Sequence, residues 1–107
     1  MENAWTTLKQ ASRDPDFVAI LGEIFDIKER KSADYAPGDD PYANFKMSES
    51  IGIPAWLGAA VRRMDKWARQ KAYITKGSLT NESFEDALLD DIVYCIIELK
   101  LWREANK

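Results

Sequence analysis

Apolar positions along this chain recur at spacings of three and four, the signature of helices with one buried face. After Asp14-Pro15, the residues Phe17, Ile20, Leu21, Ile24 and Ile27 share one side of a helical repeat, which predicts an amphipathic helix to about Lys31. Asp14 suits the N-cap, and Pro15 suits the first helical position, where no N–H is needed. A shorter helix is expected before it, around Trp5, Leu8 and Ala11. From Ala33 to about Met47, the residues Pro37, Gly38, Asp39, Asp40, Pro41 and Asn44 break the periodicity, so this stretch reads as a long loop. Pro54 opens a third helix with a stripe of Leu57, Ala60, Val61, Met64 and Ala68, and Gly77 ends it. Thr80 and Asn81 are candidate caps for the last helix, which runs to about Ala105. No segment alternates with a period of two over the length of a strand. The expected fold is all-α: a single domain over residues 1–107, built as a small bundle of three to four helices.

Composition narrows the chemistry. The 107 residues include no histidine, which excludes a Ser-His-Asp triad and any His-ligated zinc site. Cys95 is the one cysteine, so neither an intrachain disulfide nor a Cys-rich metal cluster can form. Catalysis would have to use carboxylates, lysines, arginines, hydroxyls or a hard metal ion. With 15 basic against 18 acidic residues and a pI near 5.0, the surface repels a phosphate backbone, so no extended nucleic acid is expected as partner. The start Met-Glu-Asn-Ala-Trp does not read as a signal peptide. No apolar run approaches the roughly 20 residues of a membrane helix. The chain is therefore expected to be soluble and cytoplasmic, with no membrane partner.

The last helix carries the most suggestive polar pattern. Glu82, Asp86 and Asp90 are spaced i, i+4, i+8, and the same sector continues as Val93 and Ile97 beside Leu89, which points it inward. Ala87, Asp91, Tyr94 and Glu98 fall in the sector expected to face solvent. Inward acids repel one another unless cations neutralise them. One solution is a divalent ion, Mg²⁺ or Mn²⁺, on the carboxylate oxygens of Glu82, Asp86 and Asp90. The other is the cationic row Arg62, Lys66 and Arg69 of the third helix, with Arg63 and Asp65 beside it, closing a purely structural ion-pair network. The two sets together also suit a nucleotide polyphosphate, with the acids on metal and the cations on phosphate. The second helix adds Glu23 and Asp26 as further ligand candidates, then Lys28 and Lys31 as cations. Asp34-Tyr35 and Asn44-Phe45 place an aromatic beside a small polar group, a pairing that suits a nucleobase but equally a capped turn. Cys95 is expected in the core, on an apolar arc with Phe84, Leu88, Ile92 and Leu99. Trp56, Trp67 and Trp102 read as core or as an oligomer interface.

The order of these motifs is Lys31-Ser-Ala-Asp34-Tyr35, Asp40-Pro41-Tyr42-Ala43-Asn44-Phe45, Arg63-Met-Asp65-Lys66 with Arg69, and Glu82-Ser83-x-Glu85-Asp86-x-x-x-Asp90 before Tyr94. In this order the chain resembles the nucleotide modification associated domain family of phages and bacteria, itself similar to the MazG-like all-α nucleotide pyrophosphohydrolases. The resemblance spans about residues 20 to 100, and its most distinctive block is the acidic run of the last helix. It implies a helical protein that binds a nucleotide through Mg²⁺ and cleaves between its phosphates. On that resemblance Glu82, Asp86 and Asp90 match the metal end, with Glu23 as a further ligand. Arg62, Lys66 and Arg69 match the phosphate-facing helix, and Asp34, Tyr35 and Asn44 the loop beside base and sugar; from the residues themselves Lys31 is a further phosphate candidate and Phe45 a further nucleoside candidate. The broader pattern carries Glu-x-x-Glu on an earlier helix, where this chain has Glu23-x-x-Asp26.

Two functions follow. In the first, a Mg²⁺-dependent pyrophosphohydrolase acts on a (deoxy)nucleoside triphosphate or a modified nucleotide in the cytoplasm of a bacterial or phage-infected cell. Glu82 and Asp86 hold metal, and Glu85 positions water. In the second, a non-catalytic accessory or sequestering protein binds a nucleotide or nucleotide signal on the same cations. Both are expected to work as homo-oligomers, because the last helix is apolar around more than half its circumference and the related hydrolases assemble.

Overall fold

The computed structural model describes residues 3–34 and 38–107, and every regular element among them is helical. Five α-helices, α1 (Ala4–Ala11), α2 (Pro15–Ser32), α3 (Ala43–Lys46), α4 (Ala55–Lys76) and α5 (Phe84–Ala105), are joined by one 3₁₀ segment, Met47–Ile51. The all-α expectation holds. The additional elements are α3 and the 3₁₀ turn, which begin inside the stretch read as loop. No described helix is long and apolar enough to cross a membrane.

The helix ends follow local chemistry. Asn3 caps α1, its side chain accepting from Thr6 N–H at 2.8 Å. Asp14 caps α2 through Phe17 N–H at 3.2 Å, with Pro15 in the first turn as expected. Gly77 ends α4 at φ +79°, donating its N–H to Tyr73 O at 2.7 Å; a side chain at that φ would be strained. The cap of α5 differs from expectation. Ser83, not Thr80 or Asn81, accepts from Asp86 N–H at 3.0 Å, so Glu82 lies outside the helix.

The chain divides into two compact units, Met1–Asp39 and Asp40–Lys107. In the first, α1 lies on α2 where Gly22 leaves room for Trp5, whose ring carbons stand 3.4 Å from the position of a Cβ there. Trp5 also meets Phe25, ring centroids 6.0 Å apart. Of the five-residue stripe expected on α2, Ile24 is buried, whereas Phe17, Ile20 and Leu21 are exposed.

In the second unit α4 and α5 form a long antiparallel hairpin, with α3 packed on the start of α4. Gly58 permits the closest approach, since a Cβ there would meet Phe45 O at 3.2 Å. Ser48 Oγ donates to Phe45 O at 2.9 Å and joins the 3₁₀ turn to α3. Asp40 organises the entry, accepting from Tyr42 N–H and pairing with Lys46 at 2.8 Å. Lys46 is the main reason the Asp40 carboxyl sits below its ordinary pKa. Between the two long helices the buried apolar residues are three alanines, Ala55, Ala59 and Ala87, the last two with no exposed surface, and three larger ones, Val93, Ile97 and Leu101.

The faces expected to be core are turned outward. Leu57, Val61 and Met64 of α4 are 38 %, 63 % and 69 % exposed, and on α5 Leu88, Ile92, Ile96, Leu99 and Trp102 range from 38 % to 49 %. Cys95, expected in the core, is exposed among them. The sector of Val93 and Ile97 is buried as expected, and the sector expected to face solvent lies against α4 beside it: Ala87 is buried, and Asp91, Tyr94 and Glu98 are half-buried. The seam is mixed: Val93, Ile97 and Leu101 bury apolar surface, alanines let the backbones approach, and charged pairs beside them satisfy one another.

Candidate functional site

The polar groups of the hairpin form a ladder between α4 and α5. Nearest the helix connection, Arg69 donates to Glu82 Oε1 at 2.8 Å, and its other terminal nitrogen lies 3.4 Å from Asp65. One turn along, Lys66 pairs with Asp90 at 3.3 Å and stands 5.9 Å from the centre of the Tyr94 ring. Farther down, Arg63 bridges two acids two turns apart, donating to Asp91 at 2.9 Å and to Glu98 at 3.2 Å. The second oxygen of Asp91 accepts from Gln70 at 3.0 Å, and Gln70 is buried. Among the described residues no buried side-chain polar atom lacks a hydrogen-bond partner.

These contacts set the electrostatics. The hydrogen bond to Glu82 is the foremost cause of a raised Arg69 pKa, with the charges of Glu82 and Asp65 adding to it. Arg63 is raised chiefly by its bond to Asp91; burial opposes this, and Glu98 reinforces it. Both guanidiniums are thus fixed as cations.

The candidate metal ligands are placed apart. Glu82 precedes α5 and serves Arg69; Asp90 serves Lys66; Asp86 and Glu85 are exposed in the first turn of α5, where acids suit the helix dipole. Glu23 belongs to the first unit, exposed on α2. Among the described residues no three acids or cysteines come together in a way that could hold a metal ion, so a Mg²⁺ or Mn²⁺ site does not fit the described side chains of one chain. The physical cause is the Ser83 cap: it takes Glu82 off the helix and breaks the i, i+4, i+8 alignment.

The candidate phosphate ligands fare differently. Arg62, Lys66 and Arg69 lie along the same side of α4; Arg62 is exposed and has no ion pair among the described residues. A cleft of about 290 Å³ opens beside Arg69, lined by Leu79, Thr80, Asn81 and Glu82. Lys31 is exposed at the end of α2, and Asp34 just beyond it is exposed too. Tyr35 lies outside the described residues. Asn44 is exposed on α3, while Phe45 packs edge-on against Tyr94 with centroids 6.0 Å apart, filling space between helices. Gln70, Asp91 and Glu98 were not among the sequence candidates, and Arg63 was expected only beside the cationic row. Their signal was present as two matching seven-residue spacings, Arg63 to Gln70 and Asp91 to Glu98, which place each pair on one helical face.

Comparison with protein-family models, with curated proteins and with solved structures gives no match for this chain.

Proposed function

We propose that this chain is a nucleotide-binding protein of the all-α pyrophosphohydrolase-like kind, acting as a homo-oligomer. It takes the phosphates of a (deoxy)nucleoside triphosphate or a modified nucleotide on Arg62, Lys66 and Arg69. The observation that carries this reading is Arg69, half-exposed at the rim of the Leu79–Glu82 cleft and held by a carboxylate. A guanidinium receives carboxylate and phosphate oxygens through the same fork, so a phosphate can replace Glu82 on Arg69. Thr80 and Asn81 add a hydroxyl and an amide beside it.

Binding is favoured over hydrolysis by the partners of the acids. Glu82 and Asp90 are each engaged by a cation, which removes the two outer members of the expected metal set. The hydrolytic alternative draws on Glu85 and Asp86, both exposed and without an ion pair among the described residues. It would need Mg²⁺ or Mn²⁺ shared with acids of another copy.

Incubation with a panel of nucleoside triphosphates, in Mg²⁺ or in chelator, tests both. The expected result is thermal stabilisation by one nucleotide that survives chelation, with the ligand recovered intact. Arg69→Ala should weaken it at least tenfold, and Glu82→Gln should tighten it by removing the competing carboxylate. Metal-dependent release of monophosphate and pyrophosphate, lost in Asp86→Asn, would replace binding by hydrolysis. Stabilisation by no nucleotide would refute both.

A further inference from the structure

We infer that the outer face of α5 is a self-association surface on which a second copy of the chain packs antiparallel, with the two-fold axis at Cys95. The inference rests on the homo-oligomer part of the functional reading and is independent of the ligand. Leu88, Ile92, Cys95, Leu99 and Trp102 follow one another at spacings of four and three, the seam of a left-handed helix pair. All five are exposed, and Ile96 widens the strip. The face against α4 is the opposite one, so the strip needs no rearrangement of the hairpin to be covered.

The occupant follows from the symmetry of the strip. It is nearly palindromic about Cys95: reversing the helix sets Leu88 against the region of Trp102, and Ile92 against that of Leu99, so large meets large throughout. Glu85 and Arg103, both exposed, lie about five turns apart on the same edge of the strip. In an antiparallel pair the same edges face each other, so each Glu85 lies near an Arg103 of the other copy, twice by symmetry; in a parallel pair the edge faces the opposite edge and this pairing is lost. The strip offers on the order of 400 Å² of apolar surface per chain. Two copies with their polar rims reach the roughly 1,200 Å² at which stable interfaces begin.

The test combines sedimentation with thiol cross-linking of the full chain. A dimer is expected, and mild oxidation by added copper phenanthroline should join the chains through a Cys95 to Cys95 disulfide. Leu99→Asp should yield a helical monomer that no longer cross-links. Since a variant in the strip can also disturb folding, a charge exchange on its edge gives an independent readout. Glu85→Arg should raise the dimer dissociation constant about tenfold, and Glu85→Arg combined with Arg103→Glu should restore it. A dimer that neither cross-links at Cys95 nor responds to Glu85→Arg would overturn the surface while sparing the homo-oligomer. A monomer at every concentration would remove both, and Cys95 protected from a thiol reagent in that monomer would give the strip to an occupant within the chain.

Discussion

The side of α5 that meets α4 sets Asp90, Asp91, Tyr94 and Glu98 among the buried Ala87, Val93, Ile97 and Leu101, whereas the side turned away carries the exposed Leu88, Ile92, Ile96, Leu99 and Trp102. A helix of a self-sufficient bundle would cover that second apolar strip too. The difference separates two tasks. The polar face specifies one partner helix by matched donors and acceptors, while the apolar face supplies non-directional attraction to whatever covers it. The hairpin is therefore held by ion pairs as well as by the buried Val93, Ile97 and Leu101, while a second apolar strip on α5 is exposed.

Three substitutions bear on this division, in decreasing order of expected effect. Arg63→Ala strands Asp91 and Glu98 on the seam without their shared cation and should cost about 3 kcal/mol in urea unfolding. Ala87→Leu introduces three carbons where no surface is exposed, forces the helices apart and should cost about 2 kcal/mol in the same assay. Ile96→Gln on the outer face should change unfolding by less than about 0.5 kcal/mol at concentrations too low for association. If Ile96→Gln proved the most damaging of the three in the monomer, the outer face would be core and the distinction would collapse.

Much of the fold was legible because helix punctuation is local. Asp14-Pro15 and Gly77 act through backbone groups within one turn, and both sit where the sequence places them. Apolar periodicity behaved differently. It grouped Leu57, Val61 and Met64 correctly on one face of α4, and Leu88, Ile92 and Leu99 on one face of α5. Periodicity contains no information on whether such a face meets the same chain or another. On α5 the sector of Val93 and Ile97 is buried as its apolar residues imply, while the seam also takes in Asp91 and Glu98, which the same periodicity assigns to solvent, and leaves the Leu88, Ile92 and Leu99 arc exposed.

The candidate site was legible in part for a similar reason. The cationic row of α4 and the acids at Glu82 and Asp90 do come together, as Arg69–Glu82 and Lys66–Asp90. The three-acid metal set depended on Glu82 being helical, and a single competing hydroxyl, Ser83, moved the helix start past it. Arg63 was placed beside the cationic row without its partners, because Asp91 and Glu98 lie on another helix and neighbouring arginines are indistinguishable until the facing helix is placed.

The bridge from Arg63 to two acids two turns apart on α5 has a mechanical meaning. Apolar helices in contact can slip along one another, since each methyl group exchanges one neighbour for another of equal worth. Here a shift of α5 by one turn in either direction would break both of Arg63's bonds and take Asp91 from Gln70 at once. The hairpin thus behaves as a ratchet with one notch, and the distance between its two ends is set by the seam and not by the length of the connecting turn.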